Sequence, residues 1–235
     1  MDSPALLRKC KYAFLTLPNY SLIAVANALE PLRMANRLVG KEVYEWSIVS
    51  MDGSSTQASS GLNLSPTGAF DKLGPVDILF VCGGINVREA VSPALLTALR
   101  RLADRRVPLG ALCTGGYALA RAGLLDNFSA TIHWENLSAL REEFPRVRIS
   151  DQLFTIDGDR FTCSGGTAPL DLPPREPGRL RNLLERQRFL DVLLHDLRDP
   201  NEAAMRNADA GPQRHVLPIP VLANPIDDEL FRHAL

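Results

Sequence analysis

The chain has 235 residues, 46% hydrophobic and 23% charged, with 26 basic against 27 acidic side chains and a net charge of -1. That length supports one large α/β domain, or one domain with an appendage, and the even balance argues against a surface that holds nucleic acid or membrane by bulk charge. No stretch reaches the roughly 18 apolar residues of a membrane span, and Met1 to Cys10 has no apolar signal core, so a cytoplasmic protein is expected.

Lys11 to Leu17 reads as a first strand, and Pro18-Asn19-Tyr20-Ser21 as the turn into a helix over about 22–38. In that helix Leu22, Val25, Ala26, Leu29, Leu32 and Met34 recur near helical spacing. Tyr44 to Ser50 is a second strand, Asp52-Gly53 opens a turn, and Leu62 and Leu64 alternate with polar residues in a short strand. Val76 to Cys82 is a strand, Pro93 to Ala103 a helix, Val107 to Cys113 a strand, and Gly116 to Ala122 a helix stopped at Gly123. Ser129 to Trp134 follows as a strand, Leu137 to Phe144 as a helix and Val147 to Ser150 as a strand. Leu153–Ile156 and Arg160–Cys163 then join at Asp157-Gly158. This alternation is the signature of a mainly parallel sheet covered on both faces, with the strands over 11–17, 44–50, 76–82, 107–113 and 129–134 in one sheet.

After Asp171 the character changes. Pro173-Pro174 and Pro177-Gly178 break the chain, Leu180 to Leu197 gives one amphipathic helix, and closely spaced prolines punctuate the rest. The expected organisation is a sheet domain over 1–171 and a divergent helix with a proline-rich tail over 172–235.

Three apolar runs end in a cysteine followed by glycines: Cys82-Gly83-Gly84, Cys113-Thr114-Gly115-Gly116 and Cys163-Ser164-Gly165-Gly166. Strand ends of an open α/β sheet are where ligands bind, so one pocket is expected there. Reduced thiols are expected of such a chain. A zinc site from these cysteines and His133 lacks the paired-ligand spacing, so no metal and no cofactor are expected. Cys82 and Cys163 read as core residues.

Cys113 is the strongest chemical candidate. A strand ending in a nucleophile, then a small turn and a helix, forces an elbow that projects the side chain. The helix N-terminus behind it is expected to lower the thiol pKa. Gly115 stands two after the cysteine, and Ala111 two before. His133 lies at the end of the next expected strand; alone, such a histidine is more often a hydrogen-bonded structural residue.

The ordered set Cys113-Thr114-Gly115-Gly116, Gly123-Leu124-Leu125-Asp126 and Ala130-Thr131-Ile132-His133-Trp134-Glu135 resembles the class I glutamine amidotransferase-like (ThiJ/PfpI) superfamily. More narrowly, residues 10–171 resemble the N-terminal sensor domain of its AraC-type transcriptional regulators. The resemblance implies a flavodoxin-like three-layer sandwich with a nucleophile elbow, a homodimer, and a pocket for a small zwitterion such as arginine, carnitine or glycine betaine. The residues expected to bind it are Asn19, Gly83, Gly84, Cys113, Thr114, His133, Trp134 and Glu135. In that expectation the amides after Gly83-Gly84 and at Thr114 cradle the anion, the Trp134 ring turns into the pocket to hold the cation, and Glu135 adds a counter-charge.

Two departures matter. Enzymes of the superfamily carry an acid in the helix after the first strand, where this chain has Ala24, with Glu30 two turns further along. The sensor reading therefore leads, and a cysteine-dependent hydrolase, hydratase or glyoxalase-type enzyme using Cys113 and His133 is the alternative. The resembled regulators also continue through a long helix into two helix-turn-helix motifs. The proline-rich remainder here is too short and broken for them, so direct DNA binding is not expected of this chain.

Overall fold

A computed structural model describes residues 8–172. The helix expected over 180–197, the proline-rich segment and the DNA-binding expectation attached to them lie outside the described residues. Within them the chain runs through β1 (Cys10–Thr16), α1 (Leu22–Val39), β2 (Tyr44–Ser50), β3 (Thr56–Gln57), β4 (Asn63–Leu64), β5 (Gly68–Ala69) and β6 (Ile78–Cys82). It continues as α2 (Val87–Ala90), α3 (Pro93–Asp104), β7 (Leu109–Leu112), α4 (Gly116–Arg121), β8 (Ser129–Ala130), α5 (Leu137–Glu143), β9 (Arg148–Ile149), β10 (Phe154–Asp157) and β11 (Arg160–Cys163).

Seven strands form one sheet in the order β10-β11-β7-β6-β1-β2-β5. All neighbours are parallel except the β10–β11 hairpin. The strands are apolar almost throughout because the sheet is covered on both sides. Tyr12, Phe14, Ile78, Phe80, Leu112 and Phe161 pack with Ala24, Val25, Leu32 and Ala35 of α1 on one face. Ala13, Leu15, Leu79, Val81 and Ala111 pack with Leu95 and Leu99 of α3, Leu119 of α4 and Leu140 of α5 on the other. The result is a three-layer sandwich of flavodoxin-like strand order. Fully buried leucines such as Leu95 and Leu99 each contribute about 1.5–3 kcal/mol to it.

Local signals fix the ends of these elements. The Ser92 hydroxyl caps α3 by accepting from the Leu95 amide at 3.2 Å, with Pro93 at the first helical position. Asn36 of α1 accepts from the Val43 and Tyr44 amides, both at 2.9 Å, and donates to the Tyr44 carbonyl at 2.8 Å, which sets the helix on β2.

The expected strand over 129–134 needs correction. Only Ser129–Ala130 is strand, and it pairs in parallel with β9 as a separate two-stranded sheet. Threonine side chains replace the ladder beyond it. The Thr131 amide donates to Thr162 Oγ1 at 2.8 Å, and the Thr131 and Thr155 hydroxyls lie 2.6 Å apart. Residues 131–133 are thereby held beside the main sheet without joining it.

Candidate functional site

Chain order places the site. From β1 the strands go one way to β2 and the other way to β6, β7 and β11, so the carboxyl ends of β1 and β6 flank the reversal, where open α/β sheets take ligands, and that of β7 is next along. There a cleft of about 570 Å³ is lined by Ser21, Ser59, Gly84 to Glu89, Cys113, Thr114, His133, Glu135 and Asn136. A larger hollow of about 630 Å³ between Met51, Phe70, Val76 and Leu102 is apolar and lined by no cysteine or histidine. The chemistry therefore sits in the smaller one.

Cys113 has φ +58, a left-handed conformation costly for a residue with a Cβ. The elbow expected from sequence is present. Its neighbours hold it there. The Cys113 amide and the Gly165 amide both donate to the Cys163 sulfur, and the His133 amide donates to the Cys113 carbonyl at 3.3 Å. The Thr114 hydroxyl donates to the Gly84 carbonyl at 2.7 Å. Gly83 lies against Gly115 so closely that a Cβ on it would fall 2.4 Å from the Gly115 nitrogen. This is the physical need for glycine at both strand exits.

Burial pushes the Cys113 thiol above its ordinary value, and the Glu135 charge adds to that. The Thr114 amide and Ser21 hydroxyl, both directed at the sulfur, oppose it without reversing it. The lowered thiol pKa expected from the helix N-terminus is therefore corrected. Between Cys113 and α4 stands a tight turn over 113–115, and α4 has only 6 residues. Burial also pushes Cys82 well up, with Cys163 and Cys113 nearby adding to it, and raises Cys163 to about 11. Both are fully buried, as core residues are.

The imidazole of His133 lies beside the acid two residues on, with Nδ1 at 3.5 Å from Glu135 Oε2. Nδ1 is buried and makes no hydrogen bond among the described residues. The two groups are close without a hydrogen bond between them. Among the described residues no group of three His, Cys, Asp or Glu side chains is placed to hold a metal ion. None of their helices is long and apolar enough to cross a membrane.

Of the residues named from sequence, Gly84, Cys113, Thr114, His133 and Glu135 line the cleft together. Asn19 stands behind it: with φ +60, its carbonyl accepts from the Ile85 amide at 3.1 Å and its amide donates to the Gln57 carbonyl at 2.9 Å. The Gly83 amide is committed to the Leu112 carbonyl at 3.2 Å. The expected backbone cradle is thus largely occupied by the protein's own acceptors. The Trp134 ring is not turned in; it is 70% exposed and tilted against the His133 ring at 5.6 Å between centroids. Sequence reasoning missed Ser21, Ser59, Asn86 and Arg88. Ser21 was legible as the residue opening α1. Asn86 is itself a bend at φ +56 that no local pattern announced, and Arg88 follows it.

The DJ-1/PfpI family model matches residues 21–173. The chain is 49% identical over 170 residues to the HTH-type transcriptional regulator GbdR of Pseudomonas aeruginosa, which covers 71% of this chain and 46% of that protein. It is 32% identical over 115 residues to an isonitrile hydratase of Pseudomonas putida, covering 48% of this chain and 50% of that enzyme. A solved AraC family transcriptional regulator from Pseudomonas putida superposes with a TM-score of 0.68 at 28% identity, covering 78% of this chain and 99% of that one. The chain spans about half the length of the curated relatives it matches.

Proposed function

The chain belongs to the DJ-1/PfpI family, and we propose that its residues 1–171 form the ligand-sensing domain of an AraC-type transcriptional regulator. The ligand is a small zwitterionic metabolite, an amino acid or a quaternary amine, held in the cleft between Cys113, His133 and Glu135. The working form is a cytoplasmic homodimer.

One observation carries this reading. The elbow geometry is intact, yet the groups around the thiol keep its proton on. Burial and the Glu135 charge both favour the neutral thiol. From the residue that precedes α1 the sulfur receives the Ser21 hydroxyl, a neutral donor. Ala24, where enzymes of the superfamily place an acid, is a buried apolar residue in the same cluster as Cys113. A thiol so protonated is a weak nucleophile near neutral pH, whereas a cleft of this size suits a metabolite. The 49% identity to a transcriptional regulator supports the same side.

The alternative, a cysteine-dependent hydratase or hydrolase with Cys113 as nucleophile and His133 as base, draws on the 32% identity to isonitrile hydratase. Two measurements on the full chain separate them. A thermal-shift screen with glycine betaine, carnitine and arginine is expected to raise the melting temperature for at least one, since a ligand that binds only the folded state stabilises it. Turnover of isonitriles, small amides and methylglyoxal is expected to be absent. Turnover abolished by Cys113→Ala overturns the sensor reading.

A further inference from the structure

The cleft lacks the anion site expected of its backbone. The Gly83 amide goes to Leu112, the Ile85 amide to Asn19, and the Thr114 amide to the Cys113 sulfur. A zwitterion's carboxylate needs a donor from elsewhere, and among the lining residues the guanidinium is that of Arg88.

Arg88 is held from one side. Its Nη1 lies 2.7 Å from Glu143 Oε2 and donates to the Tyr117 hydroxyl at 3.3 Å, and its guanidinium carbon sits 4.9 Å over the Tyr117 ring. Tyr117 in turn donates to Glu143 Oε1 at 2.9 Å. Ring and carboxylate together fix the plane of the guanidinium, a contact type that suits arginine and not lysine. Glu143 also lies 3.8 Å from Arg121, so one carboxylate faces two guanidiniums and the cluster keeps an excess positive charge. All these polar contacts run through Nη1. The Nε and Nη2 edge is the fork that binds carboxylates in a bidentate way.

We propose that Arg88 is the carboxylate anchor of this cleft, an assignment that rests on the zwitterion reading above. The cleft is then polarised by its own side chains. Arg88, carried by α2, takes the carboxylate, and Glu135, beside His133 and Cys113, takes the cationic group. Ligands with both charges fill both ends. Ligands with the cation alone lose the Arg88 contact.

Calorimetry on the full chain tests this with glycine betaine and with choline, which keeps the trimethylammonium and carries a hydroxymethyl group in place of the carboxylate. Wild type is expected to prefer betaine by at least tenfold, the scale of a hydrogen bond to a charged group. Arg88→Met is expected to remove that preference while leaving choline affinity within about twofold, and Arg88→Lys to retain only part of it. A folded Arg88→Met that binds betaine as tightly as wild type overturns the anchor and leaves the sensor reading standing. So does a wild type that binds the two probes equally. Should Arg88→Met fail to fold, Arg88→Lys decides, and a betaine preference undiminished from wild type overturns the proposal. A wild type that binds neither probe, nor carnitine or arginine, overturns the anchor and the zwitterion reading together.

Discussion

Gly165 lies against Cys113 so closely that a Cβ on it would fall 2.8 Å from Cys113 Cβ and 3.1 Å from its sulfur. Gly165 also has φ +93, so an added side chain meets both a clash and a backbone penalty. Left-handed backbone costs about 1–2 kcal/mol and overpacking about 1–3 kcal/mol. Gly165→Ala is therefore expected to lower unfolding free energy by about 2–5 kcal/mol, measured by urea denaturation. It also pushes the thiol toward the cleft, so ligand affinity falls with stability. A variant as stable as wild type means the 163–166 turn does not brace the elbow.

The buried thiols make the fold less stable at alkaline pH. Burial pushes Cys163 up to about 11 in the folded chain, against an ordinary value of 9.0, and pushes Cys82 well above its ordinary value too. The folded state therefore binds more protons than the unfolded one across that interval, so stability falls as pH rises. The contribution is complete below the ordinary value of 9.0 and is lost as pH climbs through about 11. Denaturation midpoints are expected to drop between these limits, and Cys163→Ala to reduce the slope. Alkylation of Cys113 should be slow at pH 7 and rise steadily through the alkaline range. Glu135→Gln should accelerate it at fixed pH, because removing the negative charge lowers the thiol pKa. A plateau in Cys113 alkylation near neutrality would contradict the protonated thiol on which the sensor reading depends.

Thr162 is fully buried, and its hydroxyl accepts from the Thr131 amide at 2.8 Å. Thr162→Val keeps the shape and strands that amide, at a cost of about 1–3 kcal/mol. Because Thr131 leads directly to His133, the loss should also loosen the histidine side of the cleft and weaken ligand binding. Thr162→Ser restores the acceptor and should recover most of both. Calorimetry and chemical denaturation on the pair decide it: equal behaviour of the valine and serine variants removes the hydroxyl from the account.

Most of the sheet was legible because its strands are buried on both faces and read as unbroken apolar runs, as Ile78 to Cys82 does. Helix α1 was legible from periodicity and matches its expected span to within a residue at either end. The strand over 129–134 misled for a physical reason: Thr131 and Ile132 are buried as a strand would be, but the Thr131 amide donates to the Thr162 hydroxyl and not to a neighbouring strand. Cys113 was legible from the glycines around it. Arg88 was not, because its role comes from Tyr117 and Glu143, which lie 29 residues away and 26 residues beyond that. Such a cluster leaves no local pattern.

The cation end of the cleft distinguishes two neighbours that sequence could not. Trp134 is 70% exposed, with its ring against His133 and outside the lining, whereas Glu135 lines the cleft. An exposed aromatic contributes little to a cation it does not face, while a carboxylate at the site contributes by charge, reduced here because Glu135 is 62% exposed and screened. Trp134→Ala is therefore expected to leave betaine affinity within about 1.5-fold, and Glu135→Gln to weaken it about twofold to fivefold. The Glu135→Gln effect should shrink as salt is raised from 0.05 to 0.5 M, since screening already does part of what the substitution does. Calorimetry at the two salt concentrations reads both. Should Trp134→Ala cost more than Glu135→Gln, the indole turns inward when ligand binds, and the cation is held by the ring and not by the acid.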